Sequence, residues 1–235
     1  TCGIKTDNTL WCWGENTYHE LGLGNTDEKH VPTKVSSASW SQVSAGAVDS
    51  CALKSDGSLW CWGDNQDGAD GVGDSSPTYH ASPVQVGTST NWRNVSTGSN
   101  VACAIDSDTA LWCWGSNVNG AVGDSSYTER DAPVHVGSAT WSAVAQGNQS
   151  PCAVDTATHV WCWGYPGWNG ELSSASGNAP VQVGSQGWIT TAVGQYFRCG
   201  IRTNRTLWCW GYNYHGQLGV GDDTDTSQFT KVITR

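Results

Sequence analysis

Methionine is absent from this 235-residue chain, phenylalanine occurs twice, and charged side chains make up only 14% of it. With no initiator residue, the chain is expected to be a processed or trimmed product of a larger precursor. Its opening, Thr1-Cys-Gly-Ile-Lys5, is not a signal peptide. So low a charge content leaves solubility to Ser, Thr, Asn and Gly. Positive charge is scarcest: 11 Lys and Arg stand against 21 Asp and Glu, for a net charge of −10 and no basic run. Phosphate backbones need clustered cations, so nucleic acid is not an expected partner. No apolar stretch approaches the roughly eighteen residues of a membrane-spanning helix, so membrane insertion is not expected either. Also missing are a Gly-x-Ser-x-Gly elbow, a phosphate-binding loop and a His-Glu-x-x-His pair. The expectation is a protein that is not an enzyme and carries no cofactor or metal.

Cysteine, by contrast, is abundant and ordered. Ten residues form five pairs, each ten positions apart: Cys2/Cys12, Cys51/Cys61, Cys103/Cys113, Cys152/Cys162 and Cys199/Cys209. The second of each pair lies in a phrase of the form hydrophobic-Trp-Cys-Trp-Gly, and successive phrases are 47 to 52 residues apart. A period near fifty is a repeat-architecture signature. One unit contains Trp40-Ser-Gln-Val-Ser-Ala-Gly46, Cys51-Ala-Leu-Lys54, Leu59-Trp-Cys-Trp-Gly63 and Pro83-Val-Gln-Val86. Each is a short run of strand formers between turn residues, and no window shows a helical stripe. The expected fold is all-β, a β-propeller of about four-stranded blades, with five repeat units in one domain spanning 1–235. The approximate units are 1–39, 40–91, 92–140, 141–187 and 188–235.

Register can be read from the cysteine hairpin. If Cys51 faces Cys61, Leu53 faces Leu59, leaving Ser55-Asp56-Gly57 as a three-residue loop that ends in a left-handed residue. Gly57 and Asn8 suit that place; Thr109, Thr158 and Arg205 do not, so those turns are expected to be wider or strained. Cys61 and Leu59 share one face and Trp60 and Trp62 the other, so the sheet is covered on both sides, as between neighbouring blades. Facing cysteines on paired strands read as disulfides, each contributing roughly 2.7 kcal/mol on the chain-entropy model. Zinc is the rival reading, but one hairpin supplies only two ligands. Disulfides imply an oxidising compartment: secreted, periplasmic or cell surface.

The phrase Cys51-Ala-Leu-Lys-Ser-Asp-Gly-Ser-Leu-Trp-Cys-Trp-Gly-Asp-Asn65, followed by Gly-Val-Gly-Asp and Pro-Val-Gln-Val, resembles the regulator of chromosome condensation repeat family. So does Trp210-Gly-Tyr-Asn-Tyr-His-Gly-Gln-Leu-Gly219 in the fifth unit. The resemblance covers essentially the whole chain and implies a propeller, often seven-bladed in this family. It does not imply one activity: members include nuclear nucleotide-exchange factors, a propeller-type β-lactamase inhibitor and exported bacterial surface proteins. The paired-cysteine form looks most like the last group. Unit four departs most, with Tyr165-Pro-Gly-Trp-Asn-Gly170 in place of the usual loop.

Binding on a rigid β scaffold is expected in the loops. Those after each Trp-Cys-Trp strand offer Tyr18 and His19, Asn65 and Asp67, Asn117 and Asn119, Trp168 and Asn169, and Tyr214 and His215. Aromatic rings beside amides suit a sugar or a protein equally; turn capping is the plain alternative for the Asn residues. Acids such as Asp124 and Asp222-Asp223-Thr-Asp225 do not follow the EF-hand pattern and read as solvated loop acids. Sequons at Asn94, Asn148 and Asn204 are candidate glycosylation acceptors, although Asn94 falls inside an expected strand. The expected function is an extracellular, non-enzymatic binding or adhesion module that recognises a carbohydrate or protein at a cell surface, with self-association also allowed. The alternatives are a structural subunit of a surface layer, sheath or filament, and an inhibitor of a secreted enzyme. Nineteen strands are expected, one short of five complete blades. Either a five-bladed ring closes with one incomplete blade, or these are five units of a longer ring.

Overall fold

The computed structural model describes residues 1–74, 78–165 and 177–233. Its architecture is all-β, a propeller of five antiparallel sheets in chain order. Blade one holds β1 (Cys2–Ile4), β2 (Leu10–Gly14) and β3 (Lys29–Lys34). Blade two holds β4 (Trp40–Ala45), β5 (Asp49–Lys54), β6 (Leu59–Asp64) and β7 (Tyr79–Gln85). Blade three follows with β8 (Trp92–Thr97), β9 (Val101–Asp106), β10 (Leu111–Gly115) and β11 (Arg130–His135). Blade four holds β12 (Trp141–Ala145), β13 (Cys152–Asp155), β14 (Val160–Cys162) and β15 (Val181–Gln182). Blade five holds β16 (Trp188–Val193), β17 (Phe197–Arg202), β18 (Leu207–Gly211) and β19 (Thr226–Lys231).

The cysteine hairpins set the register. Cys51 faces Cys61 and Leu53 faces Leu59 across β5 and β6. Cys2 faces Cys12, Cys103 faces Cys113, Cys152 faces Cys162 and Cys199 faces Cys209 in the other blades. All five pairs are disulfide-bonded, with Cα atoms 4.1 Å apart. Cys12, Cys51, Cys61, Cys103, Cys113, Cys152, Cys162 and Cys209 are buried, while Cys2 and Cys199 are partly so. The three middle pairs are therefore wholly parts of the core.

The structure adds a bulge to these hairpins and decides the form of their turns. The Trp-Cys-Trp-Gly run reads as a plain strand, but its ladder to the outer strand slips just after the cysteine. A bulge lies between Cys12 and Gly14, Cys61 and Gly63, Cys113 and Gly115, and Cys209 and Gly211. The glycines sit at φ of +100° to +114°, a conformation that leaves the strand twist and closes to most side chains. Of the two alternatives for the other turns, wider or strained, the structure shows the strained one. Thr109, Thr158 and Arg205 close the same three-residue loop as Gly57, at φ +66°, +72° and +64°. Side chains help to hold these turns: Asp106 accepts the amides of Asp108 and Ala110, each at 2.9 Å, and Asp155 that of His159 at 2.8 Å.

Alternation along the Trp-Cys-Trp strand builds the core between blades. The disulfide face of one blade packs on the tryptophan face of the next, so Cys51, Leu53, Leu59 and Cys61 lie against Trp92 and Trp114. Cys12 joins Trp40 and Trp62 in the same way, and Cys113 joins Trp141 and Trp163. Blades four and five meet likewise, through Cys152 and Cys162 against Trp188 and Trp210. Strands β4, β8, β12 and β16 run side by side around the axis. They are linked by hydrogen bonds such as Gln42 Nε2 to the Val95 carbonyl (3.1 Å) and the Gln146 amide to Ser96 Oγ (2.9 Å).

Candidate functional site

The antiparallel order gives the propeller two unlike ends. One carries the tight cysteine hairpins; the other carries the turns after the inner strands and the long loops between the third and fourth strands of each blade. In units one, two, three and five the long loop is pinned by one asparagine two residues past the Trp-Cys-Trp-Gly glycine. Asn117 donates to the carbonyls of Ser126 (3.2 Å) and Thr128 (2.9 Å) and accepts the Val122 amide (3.0 Å). Asn16, Asn65 and Asn213 accept the amides of Leu21, Asp70 and Leu218 in the same way. All four are buried. An amide offers two donors and two acceptor sites, so one buried residue satisfies several loop backbone groups. Asn65 and Asn117 are therefore turned into the loops rather than towards a ligand. The recurrence at 16, 65, 117 and 213 was the available signal for this role; in unit four the position is Pro166.

Charge is divided between the two ends. Among the described acids, only Asp7, Asp56, Asp106, Asp108 and Asp155 sit at the hairpin end. The other described acids, from Glu15 to Asp225, belong to the long-loop end. The described cations show the reverse. Lys5, Lys34, Lys54, Arg93, Arg202, Arg205 and Lys231 lie at the hairpin end. There Lys5, Lys54 and Arg202 stack on Trp11, Trp60 and Trp208 at 3.5, 3.4 and 3.6 Å from the ring centroids. The two surface cations of the long-loop end are each held by a neighbouring acid, Lys29 by Asp27 (3.3 Å) and Arg130 by Asp124 (2.6 Å). Arg198 is buried between blades four and five, near Cys152 and Ser150.

Two aromatic groups stand on the acidic end. Tyr18 and His19 meet Tyr79 of the next blade at centroid distances of 6.2 and 5.6 Å. Tyr214 and His215 form a second group with Tyr212, the most exposed member being Tyr214 at 68%. Asn119 donates to Gln149 and lines a cavity of about 270 Å³ with Asn148, Tyr165 and Tyr196. On the axis, the turns around Gly46, Gly98, Gly147 and Gly194 surround a depression of about 410 Å³. Asp67 lies near Asn100 at the same end. Asn94 is on β8 and partly buried, Asn204 on an exposed hairpin. Trp168 and Asn169 lie outside the described residues. The sequence reading passed over Tyr79, Tyr196 and Tyr212, which join these groups only through folding.

Blade two places two acids below this surface. Asp49 occupies the place of Val101 and Phe197, and Asp70 that of Leu21, Val122 and Leu218. Both are buried, neither Asp49 oxygen has a hydrogen-bond partner, and Asp70 reaches His80 Nδ1 at 2.8 Å. Burial pushes the Asp49 carboxyl well above the usual range, and the nearby Asp70 raises it further. Burial likewise pushes Asp70 up to about 6 against the lowering effect of His80. The bond to Asp70 raises His80 in turn. Among the described residues no three acid, histidine or cysteine side chains gather as metal ligands.

Several solved structures share this fold. Human WBSCR16 matches at 20% identity with a TM-score of 0.87, over 99% of this chain and 64% of its own. Yeast RCC1 (Prp20), bound to Kap60, matches at 16% identity and 0.82, over 99% and 59%. Prp20p from Saccharomyces cerevisiae, described with its binding to Gsp1p and histones, matches at 18% and 0.81, over 99% and 61%. The chain thus spans about 60% of the length of these proteins. No curated protein matches it by sequence.

These likenesses correct the expected function. An extracellular adhesion module recognising cell-surface carbohydrate or protein, and with it a secreted, periplasmic or cell-surface location, is overturned by matches over 99% of this chain to RCC1-type proteins described with Kap60, Gsp1p and histones. The surface-layer and secreted-inhibitor alternatives fall with it. The physical reason lies in the cysteines. Facing positions on paired strands bring two sulfurs to bonding distance wherever the fold forms, so the pairing reports register and does not by itself name a partner. Two sequence-family models carrying the same repeat description match, one over residues 7–53 and 56–105 and the other over 40–69 and 188–217. Together they span more than half of the chain, and a regulator repeat agrees with the non-enzymatic reading. The chain belongs to the regulator of chromosome condensation (RCC1) repeat family.

Proposed function

We propose that this chain is a non-catalytic interaction scaffold that receives a lysine- and arginine-rich segment of a partner protein on its long-loop end. The observation that carries the reading is the separation of charge: the described acids are concentrated at one end of a rigid propeller of net charge −10, with the surface cations there already paired. A one-signed face steers an oppositely charged partner and favours its register. The histones named for Prp20p are proteins of that chemistry and lend support. Tyr18, His19, Tyr214 and His215 supply apolar contact beside the acids. The finer grouping with paired-cysteine bacterial members rests on the five disulfides alone.

The test is titration with a lysine- and arginine-rich histone-tail peptide, followed by fluorescence anisotropy at low and high salt. Binding is expected to weaken roughly tenfold between 50 and 200 mM salt, as exposed charges are screened. Changing Asp222, Asp223 and Asp225 to Asn is expected to weaken it further, and Asp108→Asn at the opposite end to leave it unchanged. Equal effects from the two ends, or no binding, defeat the reading.

A further inference from the structure

One place at the hairpin end recurs in every blade: the residue three past the first cysteine of each pair, which is Lys5, Lys54, Asp106, Asp155 or Arg202. In blades two and five it faces the tryptophan that opens the inner strand, Lys54 opposite Trp40 and Arg202 opposite Trp188. Its cation then lies between indoles. Lys54 Nζ stands 3.4 Å from the Trp60 ring centroid and 5.5 Å from that of Trp40. The Arg202 guanidinium stands 3.6 Å from Trp208, 5.1 Å from Trp188 and 5.8 Å from Phe229. Blade one has Lys5 over Trp11 at 3.5 Å. The negative face of an aromatic ring attracts a cation, which accounts for the placement. Three blades thus supply a cation to their own tryptophan cluster.

Blade three keeps the rings and lacks the cation. Trp92 faces Asp106 as Trp188 faces Arg202, Trp112 stands at the place of Trp208, and Pro133 at that of Phe229. The two indoles meet edge to face at 6.2 Å. A cavity of about 300 Å³ opens here, lined by Trp92, Trp112, Asp106, Pro133, Ser89 and Asn91. Asp106 is only 7% exposed. Its Oδ1 accepts the amides of Asp108 and Ala110, and its Oδ2 accepts the Trp112 indole N–H, which leaves one acceptor site on Oδ2. Among the described residues no cation pairs with it. Blade four has the same acid but answers it from within, His159 Nδ1 lying 3.1 Å from Asp155 Oδ2. The place of His159 in blade three is Ala110. Blade three therefore has neither a cation of its own nor a histidine at this cluster.

We propose that this cavity binds one organic cation, a primary ammonium or a guanidinium, with its charge over the Trp112 ring and a hydrogen bond to Asp106 Oδ2. Both head groups are admitted, because Lys54 and Arg202 place one of each at the matching position. Trp92 and Pro133 give apolar walls to an alkyl stem, and the exposed Ser89 and Asn91 mark the solvent side. A carboxylate shielded from water forms a strong charge-assisted bond, and an entering cation relieves the cost of burying it unpaired. The same chemistry is presented by a lysine or arginine side chain of a partner protein and by a free alkylamine. The site lies at the hairpin end, away from the acidic loops of the proposed function, and does not depend on that reading.

The test follows the indole N–H resonances of the isotope-labelled chain by NMR, those of Trp92 and Trp112 being assigned through Trp92→Phe and Trp112→Phe. Butylammonium and capped Gly-Lys-Gly and Gly-Arg-Gly peptides are titrated at constant ionic strength, with butanol as the neutral control. A saturable shift of the Trp112 resonance is expected with the cations and none with butanol. Ala110→His, which rebuilds the histidine–aspartate pair of blade four, is expected to weaken binding at least about tenfold, and Asp106→Asn by a similar factor. The Trp161 resonance of blade four stays in place in each variant if the fold is intact, and Ala110→His keeps the test open should Asp106→Asn not fold. A shift from the peptides but not from butylammonium identifies a partner's side chain as the occupant, and the reverse a free amine. No saturable shift at Trp112, an equal shift with butanol, or unchanged affinity in Ala110→His overturns the proposal.

Discussion

His80 Nδ1 lies 2.8 Å from Asp70 Oδ2, and this contact partners a carboxylate that stands where units one, three and five have Leu21, Val122 and Leu218. Beside it Asp49 is buried with no hydrogen-bond partner, so blade two holds two acids whose charged forms are disfavoured. A folded-state pKa above the unfolded value means that the folded protein binds protons more tightly. Stability is then expected to fall as pH rises from about 4 through about 6 for Asp70, and onward for Asp49, by about 3 kcal/mol for Asp70 alone. His80 acts in the same direction: its raised pKa contributes stability in full below its unfolded value, lost as pH rises through the folded one. Melts at pH 5 and pH 8 check this. The wild type should be more stable at pH 5, and Asp49→Val with Asp70→Leu should flatten the difference. A wild type more stable at pH 8 refutes the account.

Trp114 of blade three packs over Gly71 of blade two, whereas Gly219 has only Val232 beside it, so one substitution is expected to cost unequally at these two glycines. Gly71 and Gly219 share φ near +65°, so alanine strains both by about 1 kcal/mol. Only Gly71→Ala also displaces a buried indole and breaks the Trp114–Ala69 hydrogen bond. Its cost in urea unfolding is expected to reach about 3 kcal/mol or more. Equal midpoints for the two variants would count against this packing.

Trp112 donates its indole N–H to Asp106 Oδ2 at 2.9 Å, while the other Asp106 oxygen holds the hairpin turn. Blades one, two and five use a hydroxyl for that indole instead, from Thr9, Ser58 and Thr206. Asp106→Ala removes acceptors for three buried or half-buried donors and is expected to cost about 2–3 kcal/mol. Asp106→Asn should recover part of this by keeping one oxygen. Chemical denaturation of the two variants distinguishes the hydrogen bonds from charge.

Reduction supplies a prediction about the disulfides. Thiol titration of the native chain should find no free cysteine, since all ten are paired. Replacing Cys51 and Cys61 together by Ala is expected to cost about 2–4 kcal/mol. A reduced chain that melts where the oxidised one does would show that the pairs contribute nothing.

The chain's own order of residues determined the hairpins. Cysteines ten apart around a three-residue turn can face each other in one register, and alternation then sends Cys61 and Leu59 one way and Trp60 and Trp62 the other. That information is local and of period two, so fold class, strand count and disulfides were legible from it. The bulges after Cys12, Cys61, Cys113 and Cys209 were not, because they depend on how the returning outer strand meets the glycine. Much of the candidate site was hidden as well. Asn65 and Asn117 look exposed in a loop sequence but are buried, because the loops fold over their amides. Asp49 and Asp70 lie 21 positions apart and become one buried problem only when blade two closes on itself. Likewise acids scattered from Glu15 to Asp225 share one end only because every blade runs its strands in the same direction. Leu59 and Leu207 both open a Leu-Trp-Cys-Trp-Gly run, yet Leu59 is buried against the next blade and Leu207 is exposed. Strand pattern is a property of adjacent residues; burial, charge grouping and cavities are properties of which blade lies against which, and only the tertiary structure decides those.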